Sequence, residues 1–151
     1  MSMDVSDGPD AEAPGDPRSD PVAGRRECGM EVRRRVLGDE HVDRAGAATT
    51  DFDAPFQAFI TEGAWGTLWA DDTLTPRERS MITLALLAGL GNTGEIAMHV
   101  RACERTGASR ADVLQAFMHV AVYAGVPRAN RAIAIAKEVF ADMDRDAERG
   151  A

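Results

Sequence analysis

Aromatic residues make up only 5% of this 151-residue chain, so alanine, leucine and isoleucine must supply most of whatever core it has. Cysteine is scarcer still. Cys28 and Cys103 stand far apart, in neither redox nor metal-ligand spacing, which argues against a disulfide framework or a zinc site. Each is expected to act as a small buried or half-buried hydrophobe. The longest apolar run, Met81–Leu90, is far too short to span a bilayer. No segment has the positive, apolar, small-residue layout of a signal peptide, and a cytoplasmic protein without membrane contact is expected. There is no glycine-rich phosphate loop, no G-x-S-x-G elbow and no strand-like alternation.

Acidic charge is present but unevenly spread. The formal net charge is −8. Asp4, Asp7, Asp10, Glu12, Asp16 and Asp20 against Arg18 place five of those negative charges in residues 1–24, leaving three for the body. Nucleic acid and anionic membranes are therefore not expected as partners, whereas a small anionic substrate would feel only the local field. Residues 1–24, rich in Pro, Gly and Asp, read as a disordered tail, residues 25–143 as one helical domain and 144–151 as a charged tail.

Apolar residues recur between glycine and proline breaks, so the fold class is all-α: a compact bundle of about six helices. Arg25–Leu37 reads as the first helix, with Cys28, Val32 and Val36 on one face and Gly38 as its stop. Arg33, Arg34 and Arg35 suit either a solvated face near a helix C-terminus or an electropositive patch for an anionic substrate. His41–Thr50 reads as a polar connection. Asp51 or Asp53 can cap a helix that places Phe52, Phe56, Phe59 and Ile60 on one face. Trp65, Leu68 and Trp69, split by Gly66, suggest core or subunit-interface packing.

The stretch Thr75–Gly107 carries the strongest signals. Thr75, Pro76 and Glu78 form a capping box with proline at the first helical position. Met81–Leu90 is apolar on nearly every face and predicts a buried helix ended by Gly89 and Gly91. Glu95 and His99 then fall four apart on one face of the next helix. Such a pair is either an ordinary polar contact or a histidine whose protonated form and orientation a carboxylate secures. Beyond Gly107, Ser109 and Asp112 form a second capping box, Gly125 ends that helix and Pro127 opens the last. His119 reads as solvent-facing.

Several motifs together resemble one family. The runs His41-Val-Asp-Arg-Ala, Ala48-Thr-Thr-Asp-Phe-Asp, Ala64-Trp-Gly-x-x-Trp69, Arg79-Ser-x-x-Thr-Leu-Ala-Leu-Leu-Ala, Glu95-x-x-x-His99 and Tyr123-Ala-Gly-Val-Pro-x-Ala-Asn130 resemble the 4-carboxymuconolactone decarboxylases, across about Met30–Met143. The resemblance implies an alkylhydroperoxidase D-like fold. The thiol peroxidases of that wider group carry Cys-x-x-Cys-x-x-x-His. Here Asn92 and Glu95 occupy the two cysteine positions, His99 is kept, and Ser80 stands where the peroxidases place an acid. Without a thiolate nucleophile, thiol-dependent peroxide reduction is excluded.

The resemblance further implies decarboxylation of 4-carboxymuconolactone to the enol-lactone of 3-oxoadipate in protocatechuate breakdown. No cofactor and no metal would be needed, because the lactone carbonyl can accept the electron pair. His99 is the expected proton donor and Glu95 its orienting partner. Arg44 and Arg79 are expected to bind substrate carboxylates, with Arg79 equally suited to pairing with a helix carboxylate. Ser80 and Tyr123 are further candidates for substrate hydrogen bonds. A ring-like homo-oligomer, a hexamer of trimeric units, is also implied. Two alternatives stay open: cofactor-free decarboxylation or isomerisation of a related lactone or keto acid, and a non-catalytic helical oligomer that binds a small acid.

Overall fold

Capping residues and glycines mark real helix ends in the computed structural model, which describes residues 21–150. The elements are α1 (Pro21–Leu37), α2 (Asp39–Ala48), α3 (Ala54–Ile60), α4 (Pro76–Leu90), α5 (Ile96–Thr106), α6 (Arg110–Tyr123) and α7 (Val126–Gly150). A π-helical segment, Thr61–Leu68, continues α3, and a 3₁₀ turn, Thr93–Glu95, leads into α5. No strand occurs among the described residues, as expected for an all-α chain. None of their helices is long and apolar enough to cross a membrane.

Both capping boxes form. The Thr75 hydroxyl accepts from the Glu78 amide while the Glu78 carboxylate accepts from the Thr75 amide, and Ser109 and Asp112 repeat the arrangement. Arg77 donates two hydrogen bonds to Asp112, tying the start of α4 to the start of α6. Gly91 and Gly107 adopt the left-handed conformation as C-caps. Gly89 does not end α4, which runs through it to Leu90.

Other expectations are corrected. Most of the N-terminal tail lies outside the described residues, but positions 21–24 already belong to α1. The connection from His41 to Thr50 is largely α2, which buries only Val42 and so shows no apolar stripe in sequence. The charged C-terminal tail is helical up to Gly150, docked by ion pairs from Asp144 to Arg110 and from Asp146 to Arg101. Cys103 is buried but Cys28 is exposed. The phenylalanines point outward, Phe52 in the turn before α3 being 95% exposed and Phe56 and Phe59 on α3 exposed as well. On α4, one side buries Arg79, Ser80, Leu84 and Ala88 while Ile82, Leu86 and Leu90 face out.

Two apolar cores share α5. The larger lies among α4, α5, α6 and α7 around Leu84, Ile96, Val100, Val113, Phe117 and Ala132. The smaller joins α1, α2 and the π segment through Val32, Val36, Val42, Trp65 and Trp69, and takes Ala102 and Met98 from α5.

The π segment crosses α1 at backbone contact. A Cβ on Gly29 would collide with the Thr61 carbonyl oxygen and lie 2.8 Å from the Gly66 nitrogen. A Cβ on Gly66 would collide with the Arg25 carbonyl oxygen. Only glycine at both positions permits this approach. Gly66 is thus an internal residue of a continuous segment, closed by wide-turn bonds such as Trp69 N–H to Ala64 O at 2.8 Å.

Gly29→Ala or Gly66→Ala is expected to destabilise the protein by about 3 kcal/mol, as overpacked sites do. Gly24→Ala, where added bulk meets nothing within 4 Å, should be neutral or stabilising by about 0.5–1 kcal/mol. Urea denaturation of the three variants tests the difference.

Candidate functional site

His99 lies on the side of α5 that faces the smaller core. Its ring stacks on Trp69 with centroids 6.5 Å apart and planes 18° apart, and Trp69 in turn packs on Trp65 at 5.3 Å. The π segment, held down by the glycine crossing, is what carries both tryptophans to this place. His99 is 8% exposed, and its Nδ1 is buried with no hydrogen-bond partner. Burial, helped by the nearby His41, pushes its pKa down to about 4. The imidazole is therefore neutral at pH 7. An orphaned acceptor is tolerated better than an orphaned donor in protein interiors. That places the single proton on Nε2 and leaves Nδ1 as a bare lone pair. His99 is then a hydrogen-bond donor through one nitrogen and not an imidazolium.

His41, half-buried on α2, is the second titratable group here. Burial lowers its pKa first, then the charges of Arg44 and Arg33, while Glu95 opposes them. His41 also lines a cavity of about 320 Å³ with Arg44 on α2, Arg101 and Arg105 on α5, and the carboxylates Glu40 and Asp146. Two of those arginines are partly engaged, Arg44 with Glu40 at 3.4 Å and Arg101 with Asp146 at 3.5 Å. Arg105 packs its guanidinium on bare Gly38, 2.8 Å from where a Cβ would stand. The left-handed Gly38 (φ 88°) that turns α1 into α2 therefore also seats Arg105.

The expected site residues fare unequally. Arg44 reaches the cavity. Glu95 is exposed, and no bond or ion pair joining it to His99 occurs among the described residues. It sits in the 3₁₀ turn before α5, so the i, i+4 spacing of a continuous α-helix does not apply. The carboxylate-secured histidine is accordingly corrected to a neutral one. Arg79 is 8% exposed and donates to the Asp71 carbonyl at 2.8 Å and to its carboxylate at 3.2 Å. This is a structural pairing of the kind expected, although the acid lies in a loop and not on a helix. Ser80 is fully buried and hydrogen-bonded to the Thr106 hydroxyl at 2.7 Å, which removes it from contact with a ligand. Tyr123, 83% exposed, stacks on His119, also exposed, at the end of α6.

Sequence reading missed His41, Arg101 and Arg105 as site residues. His41 opened one of the quoted motifs, and that was the only available signal. Cys103 is a buried thiol whose pKa burial pushes up to about 11, so it offers no thiolate. Among the described residues, no group of three His, Cys, Asp or Glu side chains is placed to hold a metal ion.

The structure thus combines an all-helical fold, a neutral buried His99 and a cavity lined by His41 and three arginines. Residues 54–138 match the Carboxymuconolactone decarboxylase family. Over 119 residues the chain is 40% identical to the 4-carboxymuconolactone decarboxylase of Acinetobacter baylyi, covering 79% of this chain and 89% of that protein. It is 36% identical over 115 residues to the nitrosuccinic acid decarboxylase of Metarhizium robertsii, covering 76% and 80%. A 42-residue match at 52% identity links it to a 4-carboxymuconolactone decarboxylase of Pseudomonas putida, covering 28% and 88%. The chain belongs to the carboxymuconolactone decarboxylase family, and its extended matches place it among the carboxy-lyases.

The His99 environment predicts a pH signature. Its folded pKa, about 4, lies below the ordinary histidine value near 6.5. Between those values the unfolded chain binds the extra proton, so stability falls as pH drops from about 6.5 to about 4, by up to roughly 3 kcal/mol. Titrating carboxylates add a similar trend at the acid end, so the discriminating quantity is the difference from His99→Gln. That variant should show a flatter profile in urea melts between pH 7 and 4. Parallel profiles would refute the assignment. Ser80→Ala should cost about 1–2 kcal/mol by stranding the Thr106 hydroxyl, with KM unchanged in a steady-state assay.

Proposed function

We propose that this chain decarboxylates 4-carboxymuconolactone to the enol-lactone of 3-oxoadipate, in the cytoplasm, as a step of protocatechuate breakdown. The observation that carries the reading is the cavity where Arg44, Arg101 and Arg105 converge with His41, whose charge is felt by the buried, neutral His99. A stretch of 119 residues in a chain of 151 necessarily includes positions 33–119. The similarity to the Acinetobacter enzyme therefore spans all of these groups.

The chemistry needs little beyond this. The substrate carries a carboxylate on its γ carbon and an acetate arm. Cleavage of the bond to the carboxylate carbon releases carbon dioxide, and the electron pair passes through the ring double bond to the lactone carbonyl oxygen. The resulting dienolate is then protonated on its α carbon. The substrate is its own electron sink, so this reading calls for no cofactor. Arginines bind the two carboxylates as charge-assisted forks. The Nε2–H of His99 is suited to stabilise the dienolate oxygen, and a neutral donor does so without being held by the carboxylate that must leave. As negative charge builds on that oxygen, the histidine pKa rises, so the imidazole can take up a proton from solvent and deliver one to the α carbon, returning to its neutral form.

The Metarhizium relative favours a second reading of the same type. Nitrosuccinic acid has two carboxyl groups and a nitro group able to accept the electron pair. A site built from arginines and a neutral donor would serve either sink. Self-association into a hexamer of trimeric units is proposed as well. Its support is the outward apolar face of α4, with Ile82, Leu86 and Leu90, and the exposed phenylalanines at positions 52, 56 and 59.

A spectrophotometric assay on the lactone, with and without chelator, tests the activity, and no turnover would reject it. His99→Ala is expected to lower kcat about 100-fold, the usual loss for one preorganised donor. Arg44→Ala should act mainly on KM. Near-normal turnover in His99→Ala would remove it from the chemistry. A stable monomer in sedimentation would reject the assembly.

A further inference from the structure

Arg33 is the one buried arginine among the described residues with no acidic partner. It is 8% exposed. Its hydrogen bonds go only to neutral oxygens and are long: 3.3 Å from each terminal nitrogen to Gln57 Oε1 and 3.4 Å to Thr61 Oγ1. Its Nε is buried with no partner. Buried Arg79 has Asp71, and half-buried Arg34 has Asp39 and Asp43. An arginine cannot relieve this by losing its proton, and burying an unpaired charge is costly. Desolvation lowers the Arg33 pKa, and no carboxylate offsets it.

This guanidinium lines a cavity of about 230 Å³ between α1, α2, α3 and the π segment. The cavity is separate from the one lined by His41. Arg44 and His41 face one side of α2, while Val42 and Thr49 face this one. Arg26 adds a second positive charge, and no acidic residue lines the walls. Met30 and Val42 make part of the lining apolar. A doubly positive, acid-free cavity whose buried guanidinium has no carboxylate partner lacks one component, an anion. The apolar wall favours an anion with a carbon skeleton over an inorganic one.

We infer that the cavity at Arg33 is a second anion site that binds the carboxylate of a small organic acid, apart from the cavity lined by His41 and Arg44. The inference does not rest on the lactone reading. Its test therefore uses binding and not turnover.

The probe is succinate, titrated against the full chain at constant ionic strength and read by calorimetry and thermal melting, with sulfate and phosphate as parallel arms. Succinate should raise the melting temperature saturably in the wild type and in Arg44→Ala. Arg33→Met, which keeps the length of the side chain without its charge, should weaken that binding about 10- to 100-fold, the worth of a charge-assisted hydrogen bond. Without added anion, Arg33→Met should melt at or above the wild-type temperature, because an unpaired buried charge is gone. The inference fails if the wild type shows no saturable response, or if Arg33→Met responds equally. It also fails if Arg33→Met melts lower without anion, since the guanidinium is then a strut between α1 and α3. A changed sedimentation coefficient in Arg33→Met would assign the guanidinium to a neighbouring copy's carboxylate. Tighter binding of sulfate or phosphate than of succinate would overturn the carboxylate assignment.

Discussion

The crossing of α1 over the π segment at Gly29 and Gly66 is the constraint on which the site depends. Two polypeptide backbones meet there with no side chain between them. The contact fixes the height of the π segment over the bundle, and hence where Trp65 and Trp69 fall. Trp69 covers one face of His99, and that cover keeps water from the imidazole. The electrostatic state of the histidine is thus a downstream result of two missing side chains some thirty residues or more away in sequence. Wide-turn helical geometry is a locally unfavourable choice, and here close packing against α1 sustains it.

Electrostatics around the site are arranged by burial more than by pairing. His99 and His41 are both shifted toward neutrality, and burial is the leading cause for each. Positive charge is supplied at the periphery of the cavity, where Glu40 and Asp146 partly compensate it. The arrangement separates two environments. The arginines stay exposed and hydrated, whereas the imidazole is buried and neutral.

Features set by local chemistry were readable in the sequence. Both capping boxes, the left-handed stops at Gly91 and Gly107, and the all-α class follow from residues within a few positions of one another. What failed depends on tertiary context. Helix α2 buries a single residue and so has no periodicity to detect. The π segment looked like two pieces split at Gly66, because its wide turn exists only against α1. Glu95 was placed beside His99 on the assumption of a continuous α-helix, and the 3₁₀ turn breaks that register. His99 was expected to be held in its protonated form by a carboxylate, yet it packs on Trp69 and burial lowers its pKa, because whether an imidazole is paired or desolvated is decided by what packs on it. Ser80 was set among possible ligand contacts, and only the packing of α4 on α5 shows that its hydroxyl is spent on Thr106.

The sharing of α5 between two cores has a bearing on how such a protein can diverge. A substitution on α5 disturbs both halves of the molecule at once. Helix α2 gives one residue, Val42, to the interior, yet presents Glu40, His41 and Arg44 to the cavity. Selection could therefore rewrite this cavity wall through α2 while the histidine scaffold on α5 stays put. Relatives named for a lactone and for a nitro acid, each about as distant from this chain as the other, are the outcome that such a division of labour permits.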